Sequence, residues 1–227
     1  MWMMPYWLGP NFLILLPALI LAIYAQWRVR STYGKYARIP TSARITARQA
    51  AERVMGSAGI TGVTIETSSQ RSLSDHYDPR SKALRLSNPD ATSVAAIGVA
   101  AHEAGHAIQH AQDYKPLSLR TAIVPVAQFG SRLALPLLLL GFFAQLEPLI
   151  TAGIVAFSAA VLFTLITLPV EFDASRKAIA TLRETAIVNE EELGSIKEVL
   201  FAAALTYVAA AAVAALQLIL LVSARRR

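Results

Sequence analysis

The sequence predicts a mainly α-helical integral membrane protein, with about four transmembrane helices and a small α+β domain carried between them. Three observations predict it. The 227-residue chain is 55% hydrophobic, with a mean hydropathy of +0.46, too apolar for an ordinary soluble domain. Charged residues make up 16% of it, against roughly 25% in soluble proteins. Those charges are clustered, which leaves uncharged stretches of the length a bilayer requires. The net charge of +6 reports topology in such a protein, and no nucleic-acid partner is expected. The absence of cysteine excludes a disulfide framework and thiolate chemistry.

Residues 1–27 read as the first transmembrane helix, with an apolar core from Leu8 to Ala25 and the charges of Arg28 and Arg30 after it. A signal peptide would carry its charges ahead of that core. Pro17 predicts a kink or tilt. Residues 28–132 form the larger polar segment. Thr46 and Gln49 have the spacing of a capping box, and Gly56 and Gly59 end the helix it opens. Val63, Ile65, Leu73, Leu84 and Leu86 lie in short alternating runs around Asp78-Pro79, which predicts two or three short strands. Asn88-Pro89-Asp90 is a breaker, and a helix follows over about 92–112.

Residues 133–170 read as a membrane hairpin turning at Glu147-Pro148, its first arm short unless it begins near Ala122. Residues 171–199 are charged and amphipathic. Residues 200–227 hold the fourth span and a basic tail. The two polar segments carry 14 and 4 of the 21 basic residues. The positive-inside tendency therefore puts both in the cytoplasm, facing the bilayer of a bacterial cytoplasmic membrane. Arg225, Arg226 and Arg227 argue the other way for the last span.

The helix over 92–112 carries "HEAGH", His102 to His106, inside an apolar run. Residues i and i+4 lie on one helix face, about 6 Å apart. Two imidazoles so placed can share one Zn²⁺, and Glu103 can serve as general base toward water. The bland alternative is a pair of core histidines satisfied by hydrogen bonds. His110 is displaced about 12 Å along the axis from His102, too far for one metal on a continuous helix. The longer motif with a third histidine bends at a glycine first, and Gln109 occupies that position here. His110 is therefore expected beside the ligands or at the surface of the same face.

A catalytic zinc takes three protein ligands and an open position. With no cysteine, a carboxylate is the candidate third ligand. "LPVEFDASRKA" offers Glu171 and Asp173 just past Pro169, which is expected to end the membrane span. An acid there either meets a metal or pairs with a helix N-terminus. In "SDHYDP", His76 or Tyr77 could stabilise an oxyanion. The alternative is a turn capped by Asp75 and Asp78.

"LSDHYDPRSKALRLS", "AAIGVAAHEAGHAIQHAQDYKPLSLRTAIVPVAQFGS" and "TLPVEFDASRKA" resemble the membrane-bound neutral zinc metallopeptidases, the YugP-like family, from about Thr46 to Tyr207. The resemblance implies His102 and His106 as ligands, Glu103 as catalytic base and Glu171 as third ligand. It implies a metallopeptidase domain of gluzincin type, with one Zn²⁺ per chain. More distantly, the chain is similar to the HtpX and CAAX-protease group, in which an aspartate follows the ligand glutamate by four residues; Ser175 stands there instead. The expected function is a membrane zinc endopeptidase acting on peptide or protein substrates, membrane proteins among them. Two rivals are weighed against it. An intramembrane protease would need the motif inside a spanning helix, and its flanks are too polar. A zinc-stabilised scaffold would not need Glu103 and would close its site with four ligands.

Overall fold

The computed structural model describes residues 10–68 and 74–225. Leu8, Leu73, Arg226 and Arg227 lie outside them. A short 3₁₀ turn, Pro10–Leu15, leads into α1 (Leu16–Tyr36). Then come α2 (Ala47–Ser57), β1 (Thr64–Thr67), β2 (His76–Asp78), β3 (Ala83–Leu86), α3 (Val94–Ala111), α4 (Lys115–Phe143), α5 (Glu147–Glu184) and α6 (Glu190–Arg225). Pro17 is the second residue of α1, directly after the 3₁₀ turn, so the N–H it lacks falls at the junction of the two helical geometries. It marks the passage from 3₁₀ to α geometry.

α1, α4, α5 and α6 are each long and apolar enough to cross a bilayer. The chain divides into two compact units. The first holds the start of α1, most of α4, the first half of α5 and the end of α6. Its outward side chains include Leu139, Leu140, Phe142, Phe143, Val155, Leu162 and Leu165, a surface that hydrocarbon solvates and water does not. The α4–α5 hairpin turns at Ala144–Leu146 rather than at Glu147-Pro148, which already belong to α5. Gln145 takes a left-handed φ of 55°, and the Leu146 N–H returns to the Gly141 carbonyl at 2.9 Å, the C-terminal arrangement that satisfies orphan carbonyls. A Cβ on Gly141 would lie 2.7 Å from the Ile150 nitrogen, so only glycine lets the two arms meet this closely. α4 starts at Lys115 and takes Arg120 and Arg132 into the helix, which makes the first arm longer than its uncharged stretch.

The second unit runs over 27–118 and 169–204. Its sheet has the order β1-β3-β2, with β1 parallel to β3 and β2 antiparallel to it. The Thr46 capping box forms as expected. Gly59 follows α2 with φ +70°, while Gly56 stays inside the helix. Ser93 caps α3, accepting from the Ala96 N–H at 3.3 Å.

α3 is the centre of this unit. Ala95, Ile97, Ala100, Ala101, Ala104 and Ala107 are buried along it, with Ala50, Ala51 and Val54 of α2, Leu84 and Leu86 of β3, and Ala178 and Leu182 of α5 in the same core. Small side chains on most of its faces let three elements approach at once. Pro169 does not end α5, which continues to Glu184. The reason is tertiary: Val170, Ala174, Ala178 and Leu182 are fully buried beyond it. That packing holds the helix across the hydrogen bond a proline lacks.

Candidate metal centre

His102 and His106 project from one face of α3, with ring centroids 4.8 Å apart. Glu171, on α5, faces them both. Its Oε2 lies 3.2 Å from His102 Nε2, and its Oε1 lies 3.7 Å from His106 Nε2. Glu171 and His106 are buried. One ligand atom from each of the three residues falls within 4.8 Å of the others. α3 and α5 come this close because of Gly105: an added Cβ there would fall on the Ala174 carbonyl.

Each imidazole is held from behind. His106 Nδ1 lies 2.9 Å from Gln109 Oε1. The Gln109 amide is oriented by two acceptors on its nitrogen, the Val170 carbonyl at 2.8 Å and Asp173 Oδ2 at 2.9 Å. Its oxygen therefore faces His106, Nδ1 is the protonated nitrogen, and the Nε2 lone pair is left toward Glu171. His102 Nδ1 lies 3.1 Å from Ser175 Oγ. Ser175, the residue that departs from the distant pattern, is thus the partner of the first histidine.

Two imidazole nitrogens and a carboxylate oxygen, converging in a buried site and supported by outer hydrogen bonds, suit a zinc ion. Burial pulls the His106 imidazole down, but the Glu171 and Glu103 carboxylates outweigh it and raise its pKa. The site thus favours positive charge.

The other expected residues fall elsewhere. Asp173 is not in the three-residue group; it accepts from Gln109, from Arg176 and from Lys177 Nζ at 2.6 Å. Glu103, 8% exposed, accepts from the Tyr77 backbone N–H at 2.8 Å. The Tyr77 hydroxyl lies 2.8 Å from His110 Nδ1. Burial, and after it the Asp78 charge, raise the Tyr77 phenol, so it keeps its proton. His76 is exposed and bonds its neighbour Ser74 through the backbone carbonyl, at 2.9 Å. Asp78 accepts from the Arg80 N–H at 2.9 Å and the Ser81 hydroxyl at 2.7 Å. These bonds, Ser81 first, lower its pKa against the opposing effect of burial. Asp75 instead holds the Ser87 N–H and hydroxyl, each at 2.8 Å. Sequence reasoning missed Gln109 and Ser175 as supports. Both were visible only as departures from longer motifs.

Fold and site define a class: a mainly helical membrane protein with a buried two-histidine, one-glutamate group able to hold a metal. Residues 11–226 match the family described as "Putative neutral zinc metallopeptidase", and the chain belongs to that family. It is 43% identical over 204 residues to the "Putative membrane protease YugP" of Bacillus subtilis (strain 168), covering 89% of this chain and 90% of that protein. No solved structure matches it.

Proposed function

We propose that the protein is a membrane zinc endopeptidase of gluzincin type, in which His102, His106 and Glu171 hold one Zn²⁺ and Glu103 is the general base. The observation that carries this reading is the convergence of the three donor atoms within 4.8 Å, with Gln109 presenting His106 through Nε2. Zinc bound there supplies a Lewis acid for the scissile carbonyl and for an attacking water. Glu103 takes the proton of that water and returns it to the leaving amine. Its Tyr77 N–H bond keeps the carboxylate aimed while one oxygen stays available. Asp173, through Gln109, holds His106 in one tautomer and orientation, and Ser175 orients His102, so the donor set needs little rearrangement on metal binding.

Both polar segments are assigned to the cytoplasmic side by the distribution of Lys and Arg. Peptide or protein substrates, including membrane proteins, would reach the site there. The donor set has three members among the described residues, one short of a closed structural zinc site, which favours catalysis over a zinc-stabilised scaffold. Zinc content and cleavage of labelled casein, measured on the same detergent-purified sample, test the reading. Zinc near one per chain with proteolysis lost to chelator is expected. Stable zinc without cleavage of any protein substrate supports the scaffold.

A further inference from the structure

We propose that His110 is a positioning residue for Glu103, acting through Tyr77. This rests on the assignment of Glu103 as base. Tyr77 makes two bonds to α3. Its backbone N–H donates to Glu103 Oε2 at 2.8 Å, and its hydroxyl meets His110 Nδ1 at 2.8 Å, two turns further along the helix. The rings stand 5.9 Å apart at 55°.

The first bond uses the free side of an edge strand. β2 pairs only with β3 among the described residues, with Tyr77 opposite Leu84. The Tyr77 N–H, bonded to Glu103, points away from β3 and toward α3. A three-residue edge strand, His76–Asp78, has little of its own to fix that direction. The His110 bond supplies the second anchor. With two attachments, the strand cannot pivot about the Glu103 contact, and the carboxylate keeps one rotamer. The same geometry accounts for a third histidine at i+8 that cannot reach the metal. It also directs the Tyr77 hydroxyl along α3 to His110 rather than to a reacting carbonyl.

Two independent readouts test this. The first needs neither metal nor turnover: hydrogen exchange of the Tyr77 amide in the full-length protein in detergent. His110→Ala and Tyr77→Phe should each speed that exchange about three- to tenfold, the worth of one hydrogen bond, and His110→Asn, whose amide can again bond the Tyr77 hydroxyl, should recover part of the protection. The second is kinetic, with labelled casein as probe. Each single variant should lower kcat by a similar factor with KM and zinc content unchanged, and the double variant should be no worse than either single one. Unchanged exchange in both variants overturns the clamp. Faster exchange with unchanged kcat shows that the clamp exists but does not position Glu103, which also overturns the proposal. A wild type that holds zinc but cleaves nothing defeats the peptidase reading and with it the kinetic role, while the exchange data still decide whether the clamp exists.

Discussion

Gln109 Oε1 accepts from His106 Nδ1 at 2.9 Å, and the bond fixes which nitrogen of His106 can meet a metal. A glutamine is suited to this because its amide can accept on one side and donate on the other. Here the donating side is occupied by Val170 and Asp173, so the accepting side cannot turn away. Gln109→Leu should keep the fold of α3 but weaken zinc binding about 10- to 100-fold, the usual cost of losing such a support. Titration against a chelator of known affinity measures it. Unchanged affinity would show that the tautomer is set by something else.

Asp173 is expected to act behind Gln109 and not on the metal. Asp173→Asn keeps an acceptor for Gln109 but loses the charge that Lys177 and Arg176 answer. It should retain one zinc per chain at saturation, with affinity reduced about tenfold or less. Loss of zinc as complete as in His102→Ala would make Asp173 the third ligand.

Gly105 should tolerate no side chain. The Ala174 carbonyl sits where its Cβ would go, and backbone on both sides leaves little room to adjust. Gly105→Ala is expected to cost about 1–3 kcal/mol, as overpacking does, and to weaken zinc binding by pushing Glu171 from the histidines. Thermal unfolding in detergent, with and without zinc, reads both effects. A variant as stable as wild type would mean that α3 and α5 are not held this closely.

Topology follows from the split of basic residues, 18 against 3 of 21. Reporters fused after Tyr36 and after Lys197 should both register cytoplasm, and one at Gln145 should register the opposite side. Agreement between Gln145 and Lys197 would refute the hairpin.

Much of this was legible because the signals are local. The Thr46 capping box, the alternation around Leu84 and Leu86, and the i, i+4 histidines each sit within one turn or one strand of their cause. The same holds for the four apolar spans. Glu171 was different. Composition offered several carboxylates, and proximity to a membrane helix end left both Glu171 and Asp173 open, as metal ligands or as acids at a helix N-terminus; the family resemblance chose Glu171. Gln109 and Ser175 were illegible as supports, since each acts on a histidine only where α3 meets α5. The continuation of α5 through Pro169 was hidden for the same reason: local propensity argues for a stop, and burial of Val170 and Ala174 overrules it. The turn at Gln145 was displaced toward Glu147-Pro148 in the sequence reading because Pro marks turns and helix starts alike.

The central claim divides labour between two glutamates: Glu103 moves protons and Glu171 holds zinc. The most direct measurement is zinc content beside proteolytic activity in Glu103→Gln and Glu171→Gln, purified and dialysed alike. Glu103→Gln keeps its size and its bond from the Tyr77 N–H but cannot take a proton from water. It should keep zinc near one per chain and lose activity by roughly 10²–10⁴-fold, the worth of a positioned acid–base group. Glu171→Gln puts a poor neutral donor between His102 and His106 and should lose both zinc and activity. Two variants with the same metal content, whether both full or both empty, would contradict the assignment.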